Sequence, residues 1–426
     1  IDSEMGIVLS GKKSDFYCRK YFVKNVDDKK FLESKENIAA IIDATSQNLQ
    51  DNSPLNALAY LVNLTPRQIM LLNAIATYED QLLPALSEMM IKSALLSHYE
   101  VASYLVSYFE IKFDPTYTSR KKELKALEEK IFAYLQTIDK INEDRVIRIF
   151  FNILKALLRT NYYFDDETIS FKVDVKELES ELRGLQPHIE AFIFHHDFVG
   201  CHLRRSNVSR GGLRWSDRHD DFRDEVKALM KAQRAKNSVI IPSGAKGGFV
   251  IKKEHPSKEE FVNVYKRFIH ANLDLVDNRV DNKIVRDKRI VNYDNDDSYF
   301  VVAADKGTSS MSDTANAISC ERGFWLEDAF ASGGSKGYNH KEMGITAKGS
   351  IKSSERFFLE AGINIYEKSI TVVGLGSPSG DVFGNGIQLS DKFKLIAAIG
   401  GREIFVDPNP DPIKSYQIRK DRKSVV

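Results

Sequence analysis

The glycines of this chain are distributed unevenly along its length. Four of the 24 glycines lie in residues 1–200, and the other 20 lie beyond residue 200. Glycine adopts positive φ without strain and lets another backbone or a ligand approach closely. We therefore expect regular, side-chain-packed structure in the first half, and tight turns and binding chemistry in the second half.

Composition and charge exclude several classes of protein. With 42% hydrophobic and 28% charged residues, the chain is typical of a soluble globular protein with two or more domains. The 61 basic residues balance the 60 acidic ones, so the net charge of +1 gives no reason to expect a nucleic-acid partner or attraction to a membrane surface. No apolar run is long enough to span a membrane, and no basic-then-apolar leader opens the chain. We therefore expect a cytoplasmic protein.

The ends of the sequence carry a further expectation. The chain begins with Ile1 rather than Met and ends in the polar segment RKDRKSVV, which follows a strand pattern without further partners. We expect it to be part of a longer protein, and we expect this part alone not to bind a dinucleotide measurably.

The spacing of cysteines and histidines gives no indication of a metal site. Neither a disulfide framework nor a zinc site is predicted, because the cysteines are far apart and never in CxxC spacing; they are Cys18, Cys201 and Cys320. His195 and His196, with His202 nearby in sequence, lack a carboxylate or thiolate at ligand spacing. We therefore expect no metal.

The first half of the chain reads as a helical bundle from about residue 36 to residue 160. In LTPRQI, Thr65 is a helix N-cap, Pro66 occupies the first helical position and Gln68 completes a capping box. Apolar residues then recur at helical spacing from Leu124 to Leu157, with charges on the other face. A packed core is favoured over a ligand groove, and we assign no chemistry here.

The apolar period changes from helical to two after Tyr163, which predicts a β-containing domain. The first strand has Ile169, Phe171, Val173 and Val175 on one face. Further strands are predicted at 192–194, 199–203, 238–241, 249–251 and 299–303, with helical patterns between them. A strand at 370–373, a glycine turn, a helix and a strand at 394–399 then begin a second α/β unit, with one further strand at 404–406.

These patterns predict an α/β protein of three parts. Residues 1–160 form a mainly helical domain, residues 161–365 an α/β substrate domain, and residues 366–426 the beginning of a Rossmann-like dinucleotide-binding domain.

One segment of the second half combines several features of a binding site. From Ser209 to Gly248 a glycine pair opens the segment, an amphipathic helix crosses it, and Lys246 lies among glycines near its end. Gln233 and Lys236 are three residues apart on that helix, so both side chains can face one site. Any single lysine or arginine here would ordinarily be a solvated surface charge. The combination of features favours a functional site over ordinary surface charges.

The chain resembles the glutamate dehydrogenase superfamily, and most closely its large, NAD-specific bacterial branch. The resemblance rests on RGGLRWSDR, MKAQ, GAKGG and VVAADKGT, which occur in the branch's order, and it runs from about Asn161 to Pro412. It is weaker over the helical half. The resemblance implies NAD-dependent interconversion of L-glutamate and 2-oxoglutarate, and a homo-oligomer in the full-length protein.

The resemblance also implies roles for individual residues. Lys246 of GAKGG matches the family's catalytic lysine, and Asp305 of AADKGT matches its acid/base aspartate. Arg210 stands where smaller relatives bind the distal carboxylate of the substrate. Three more residues match substrate-contacting positions: Gln233 and Lys236 for the α-carboxylate, and Thr346.

A glycine fingerprint predicts where the dinucleotide binds. Gly374, Gly376 and Gly380 follow a strand, as the glycines that admit a pyrophosphate do. The chain departs from the branch at Ser377-Pro378, where Asp-Met is usual, and at Gly400-Gly401, where an acidic residue would hold the ribose. Two other functions stay open from the residues: a dehydrogenase of another amino acid, and a non-catalytic fragment that keeps the fold.

Overall fold

The computed structural model describes residues 3–10, 15–22, 26–164, 166–182, 184–236, 243–338, 340–376, 380–400 and 403–423. The chain divides into two compact units, Ile1–Ser332 and Gly333–Val426. The predicted α/β class is confirmed by the mixture of helices and a large sheet. The three-part division at residues 160 and 365 stays a prediction.

The first unit begins with an antiparallel hairpin that the sequence patterns did not predict, formed by β1 (Ser3–Ser10) and β2 (Asp15–Phe22). Helices follow: α1 (Asp28–Ser46), α2 (Leu58–Val62), α3 (Pro66–Leu82), α4 (Glu88–Ser97), α5 (Tyr99–Phe113), α6 (Arg120–Leu135) and α7 (Ile141–Ala156). The predicted start of α3 is confirmed. Thr65 is its N-cap, the reciprocal bonds with Gln68 are both present, and Pro66 occupies the first turn.

An eight-stranded sheet follows these helices. Its strands are β3 (Leu157–Thr160), β4 (Ile169–Asp174), β5 (Ile189–Phe194), β6 (Phe198–Arg204), β7 (Ser209–Trp215), β8 (Ser243–Ile251), β11 (Val301–Ala304) and β12 (Ala331–Ser332). They lie in the order β12-β11-β7-β8-β6-β5-β4-β3. The pairs β12/β11, β11/β7 and β7/β8 are parallel, and the pairs from β8 to β3 are antiparallel. A small hairpin, β9 (Asn278–Val280) and β10 (Lys283–Val285), lies outside this sheet.

The predicted strands agree with this sheet in most places. The strand predicted at 238–241 lies outside the described residues. Leu157 was expected at the end of a helical stripe, but it begins β3 and pairs with Val173. That expectation was wrong because pairing with β4, which is distant in sequence, overrides the local helical period.

Helices cover both faces of the sheet. One core is shared by residues of α3–α7, by sheet residues such as Phe171 and Phe192, and by Phe222 and Val226 of α8 (Phe222–Lys236). The other core lies between the sheet and α9 (Lys258–Asp274) and α10 (Ser312–Glu321). Helix and sheet residues are buried together, so the helices of the first half pack on the sheet that carries β7, β8 and β11.

A buried ionic network fastens the loop before β11 to the sheet. Asp297, which is fully buried, accepts hydrogen bonds from Lys172 Nζ at 2.6 Å and from Arg204 Nη1 at 3.0 Å. Arg159, also buried, donates to Asp277 at 2.8 Å and to Asp294 at 2.6 Å. The charges therefore neutralise one another across β3, β4 and β6.

The second unit contains α11 (His340–Met343), α12 (Ile345–Glu360) and α13 (Pro412–Lys423). Its sheet has the order β13 (Ile370–Leu375), β14 (Phe393–Ile399), β15 (Ile404–Val406), with β13/β14 parallel and β14/β15 antiparallel. The strand pair confirms the predicted pattern. The expected helix between β13 and β14 is a short π-helical turn, Asp381–Asn385, within the described residues. None of the described helices combines the length and apolar character that a membrane span requires.

Candidate active site

Two adjacent glycines lie in the middle of β7, and a side chain at each position would come too close to a different neighbour. A Cβ on Gly211 would lie 1.5 Å from the carbonyl oxygen of Ala245 on β8. A Cβ on Gly212 would lie 3.1 Å from Asp305 Cβ and 3.3 Å from Lys246 Nζ. Gly211 therefore lets two strands approach closely, and Gly212 leaves space in which Lys246 and Asp305 meet.

Lys246 and Asp305 form an ion pair above Gly212. Lys246 Nζ donates to Asp305 Oδ2 at 3.2 Å, and the two side chains are 20% and 21% exposed. Lys246 lies on β8, and Asp305 directly follows β11, so both strands flank β7. The structure thus brings together the two residues predicted to be catalytic, and both side chains are partly exposed to solvent.

The turn after β11 holds Asp305 in place. Thr308 Oγ1 donates to the carbonyl oxygen of Leu213 at 2.7 Å, and Asp305 N–H donates to Thr308 Oγ1 at 3.2 Å. Gly307 has φ +83°, and a Cβ there would lie 2.9 Å from Trp215 Cβ. The motif DKGT is therefore a turn anchored to β7, in which Gly307 supplies the positive φ.

The charges around Asp305 favour its ionised form. Burial by itself raises the pKa of Asp305, but the Lys246 ammonium, the Lys306 N–H and the Arg214 guanidinium together hold that pKa below its ordinary value. Asp305 is thus a carboxylate at neutral pH and can accept a proton.

Arg214 is a member of the site that was not singled out from the sequence. Its Nη2 donates to Asp305 Oδ1 at 3.3 Å, and its Nη1 donates to Glu225 Oε1 at 2.7 Å. The alternation of side chains along a strand would have indicated it, because Arg210, Gly212 and Arg214 lie on one face of β7.

The structure describes the side chains of only two of the four predicted substrate-binding residues. Arg210 is exposed at the start of β7 and, in the part of the chain that is described, forms no ion pair with a carboxylate. Gln233 and Lys236 belong to the last turns of α8, but their side chains lie outside the described residues. Thr346 lies in the second unit at the start of α12, where its N–H donates to Asp381 at 3.1 Å. The substrate contacts of these four residues stay predictions.

The predicted cofactor glycines lie at the end of β13. A Cβ on Gly374 would lie 1.9 Å from the Phe383 ring, so Gly374 allows the following turn to pack against the strand. Gly376 has φ +128°, and Gly380 immediately precedes the π-helical turn. Ser377 and Pro378, like Gly401, lie outside the described residues, and the N–H of Gly400 donates to the carbonyl oxygen of Glu403. A sharp turn and close helix–strand packing are the roles of glycine in a dinucleotide fingerprint.

The histidine pair lies in the turn between β5 and β6. Its possible ligand atoms and those of Asp197 all lie within 4.8 Å of one another. The interpretation of the sequence therefore overlooked the carboxylate of Asp197 beside the histidine pair. His202, on β6, belongs to no such group among the described residues. Burial lowers the pKa of His195 to about 3, and Asp197 N–H donates to its Nδ1 at 3.1 Å. This hydrogen bond accounts for the orientation of His195, and the absence of a metal stays a prediction.

Comparisons with known proteins give a consistent result. Residues 130–424 match the family model described as "Bacterial NAD-glutamate dehydrogenase, catalytic domain", and residues 50–115 match "Glutamate dehydrogenase, helical motif 3". The chain is 44% identical over 385 residues to the NAD-specific glutamate dehydrogenase of Halomonas elongata, covering 87% of this chain and 24% of that protein. It is 42% identical over 387 residues to the enzyme of the same name from Mycobacterium tuberculosis, covering 86% and 24%. This chain thus spans about a quarter of the length of these relatives.

Solved structures give only a distant likeness. Glutamate dehydrogenase from Plasmodium falciparum has a TM-score of 0.38 at 16% identity, covering 84% of this chain and 61% of that one. The enzyme from Peptoniphilus asaccharolyticus has a TM-score of 0.35 at 15% identity, covering 76% and 68%. Scores this low carry no argument about this chain. The sequence matches do, and they show that the chain belongs to the bacterial NAD-glutamate dehydrogenase family, over that family's catalytic domain.

Proposed function

We propose that this chain carries the substrate site of an NAD-dependent glutamate dehydrogenase, which converts L-glutamate to 2-oxoglutarate and ammonia. The observation that carries the proposal is the Lys246–Asp305 pair, 3.2 Å apart above the gap that Gly212 leaves. An ammonium and an ionised carboxylate side by side are the acid and the base that this reaction needs. Membership of the family supports the same assignment.

Each charged residue has a task in the proposed reaction. Asp305 accepts a proton from the substrate ammonium, so that the free amine electrons can form the imine as hydride leaves Cα. Lys246 polarises the water that adds to the imine carbon; the C–N bond of the resulting carbinolamine then breaks, ammonia leaves, and Lys246 polarises the carbonyl oxygen that forms. Arg210, exposed and without a carboxylate partner among the described residues, binds the distal carboxylate. The proposed α-carboxylate ligands are Gln233 and Lys236, and Thr346 also contacts the substrate.

NAD is the proposed hydride acceptor. When bound, it supplies the oxidising nicotinamide face. Gly376 and Gly380 would admit its pyrophosphate, because a positive-φ turn and a glycine before a helical turn leave the backbone accessible. Gly374 contributes by packing against Phe383.

Replacing Lys246 by Met tests the assignment. In the full-length protein, Lys246→Met should lower kcat for glutamate by about two decades or more, because acid/base catalysis is lost while the apolar stem remains. Lys252→Met is the matched control, since Lys252 follows the same strand and pairs only with Asp51 among the described carboxylates. Near-normal turnover of Lys246→Met, with both variants folded, would refute the assignment.

Specificity is tested at Arg210. Replacing Arg210 by Leu should cost about 2–4 kcal/mol of transition-state binding for glutamate and much less for norvaline, which lacks the distal carboxylate. Equal losses in kcat/KM on both substrates would show that Arg210 is structural, and would favour a dehydrogenase of another amino acid.

We further propose a homo-oligomeric assembly and a cytoplasmic location. The free thiols of Cys201 and Cys320 support a reducing compartment. Light scattering of the purified full-length protein measures its assembly, and fractionation of cells measures its location. A monomer or a periplasmic fraction would overturn the corresponding proposal.

A further inference from the structure

We infer that Arg214 is a positioning residue of this active site, and that Glu225 acts through it. Arg214 lies between two carboxylates and aims one of them, Asp305, at Lys246. The inference rests on the proposed function, because it concerns the aspartate that accepts the substrate proton.

Four charges alternate in sign across four elements, α8, β7, β11 with the turn that follows it, and β8. Glu225 on α8 accepts from Arg214 on β7 at 2.7 Å, Arg214 donates to Asp305 after β11 at 3.3 Å, and Lys246 on β8 donates to Asp305 at 3.2 Å. The two oxygens of Asp305 are divided between the two cations, because Oδ1 faces Arg214 and Oδ2 faces Lys246. A carboxylate held at both oxygens has little freedom to rotate, so its orientation toward a substrate amine is fixed in advance.

The Arg214–Glu225 pair differs from an ordinary surface ion pair. Its side chains are 18% and 14% exposed, and Glu225 is held on its second oxygen by Ser216 Oγ–H at 2.5 Å. Ser216 in turn accepts from Arg218 N–H at 3.1 Å. Glu225 lies in the first turn of α8, whose last turns carry Gln233 and Lys236. Arg214 therefore ties the proton-accepting residue to the helix proposed to bind the substrate's α-carboxylate.

The pH dependence distinguishes positioning from a general effect on folding. Among the described residues, Lys246, Arg214 and the N–H of Lys306 face Asp305, and Glu225 is linked to it through Arg214. Removing the Arg214 cation raises the pKa of Asp305, because one of the charges that favour its ionised form is lost. The low-pH limb of the kcat/KM profile should therefore move to higher pH. A loss caused only by weakened folding would lower activity without moving that limb.

The experiment uses Arg214→Gln in the full-length protein. We expect kcat to fall by about tenfold or more at neutral pH because Asp305 is no longer held at both oxygens, and the low-pH limb of the kcat/KM profile to move to higher pH. KM for glutamate should change little, because the Arg214 guanidinium is engaged by Glu225 and Asp305. Arg214→Lys, which keeps the charge but reaches one carboxylate, should restore the position of the low-pH limb while kcat stays reduced. The single substitution Glu225→Gln should also lower kcat. Adding Glu225→Gln to Arg214→Gln should lower kcat no further.

Arg289→Gln is the control, since Arg289 pairs with Asp287 on the exposed surface and takes no part in the described hydrogen bonds around Asp305 and Glu225. The inference is overturned if Arg214→Gln leaves the low-pH limb unmoved, or if the two substitutions are additive. Should Arg214→Gln fail to fold, the same additivity is measured with Arg214→Lys and Glu225→Gln. A wild-type protein without glutamate oxidation would refute the proposed function itself. Activity that depends on Lys246 but not on Arg214 would refute only this inference.

Discussion

A single methyl group at Gly212 should separate the catalytic pair with little effect on the fold. In Gly212→Ala the new Cβ would lie 3.1 Å from Asp305 Cβ and 3.3 Å from Lys246 Nζ. Ordinary contacts between carbon atoms are about 3.5–4.0 Å, so Asp305 must move by about 0.4–0.9 Å. The Lys246–Asp305 hydrogen bond is already 3.2 Å long, and such a shift would take it past the useful range.

The expected loss follows from that displacement. Misplacing a reacting group by about 1 Å costs up to about 100-fold in rate, so kcat should fall by about 10- to 100-fold, or about 1.4–2.7 kcal/mol. Stability should fall by only about 1–2 kcal/mol, because Asp305 is partly exposed and can move toward solvent. Steady-state glutamate oxidation, followed by NADH absorbance, measures the first quantity, and thermal unfolding measures the second.

Two further substitutions make the result interpretable. Gly349 lies on α12, and among the described residues no atom outside its own helix backbone lies within 4 Å of its Cβ position. Gly349→Ala therefore measures how much the replacement itself stabilises a helix, about 0.5–1 kcal/mol. Gly211→Ala should instead prevent β7 and β8 from pairing, since the Ala245 oxygen lies 1.5 Å from its Cβ position. If Gly212→Ala kept kcat within about threefold of the wild type, close contact of Lys246 and Asp305 would not be required, and the reasoning would fail.

Two predictions concern stability rather than chemistry. Asp297→Asn should destabilise the first unit by about 3–5 kcal/mol in denaturant unfolding, because Lys172 and Arg204 lose their buried counter-charge; a loss below about 1 kcal/mol would contradict this. Glu79 is fully buried, both its carboxyl oxygens lack a hydrogen-bond partner among the described residues, and burial raises its pKa well above the ordinary value. Since the folded state then holds a proton that the unfolded state releases, stability falls as pH rises between the two pKa values, by up to about 1.4 kcal/mol per unit. Glu79→Gln should remove that dependence, so the melting temperature of the variant should rise relative to that of the wild type as pH is raised from about 5. A difference in melting temperature that does not change with pH would show that Glu79 is ionised in the fold.

The sequence by itself determined the local features of the structure, which depend on residues only a few positions apart in the chain. The start of α3 was predictable because Thr65, Pro66 and Gln68 act on one another within a single turn. The change of period after Tyr163 located β4, and the glycine-flanked Lys246 and the strand-end Asp305 were both singled out. The residues that give each of these signals lie close together in the chain.

Only the tertiary structure decided the features that join distant segments. Leu157 entered β3 against its local helical pattern, because the partner Val173 offers a strand edge. Gly211 had to be glycine because of Ala245, and Arg214 joined the site because Glu225 and Asp305, which are 11 and 91 residues away, meet at its two nitrogens. The alternation along β7 indicates which face carries Arg214, but neither the close approach of Ala245 nor the two carboxylate partners of Arg214 appear in the local spacing of residues. Packing β7 against β8, β11 and α8 creates both, since it brings within a few ångströms atoms whose residues lie 11 to 91 positions apart in the chain.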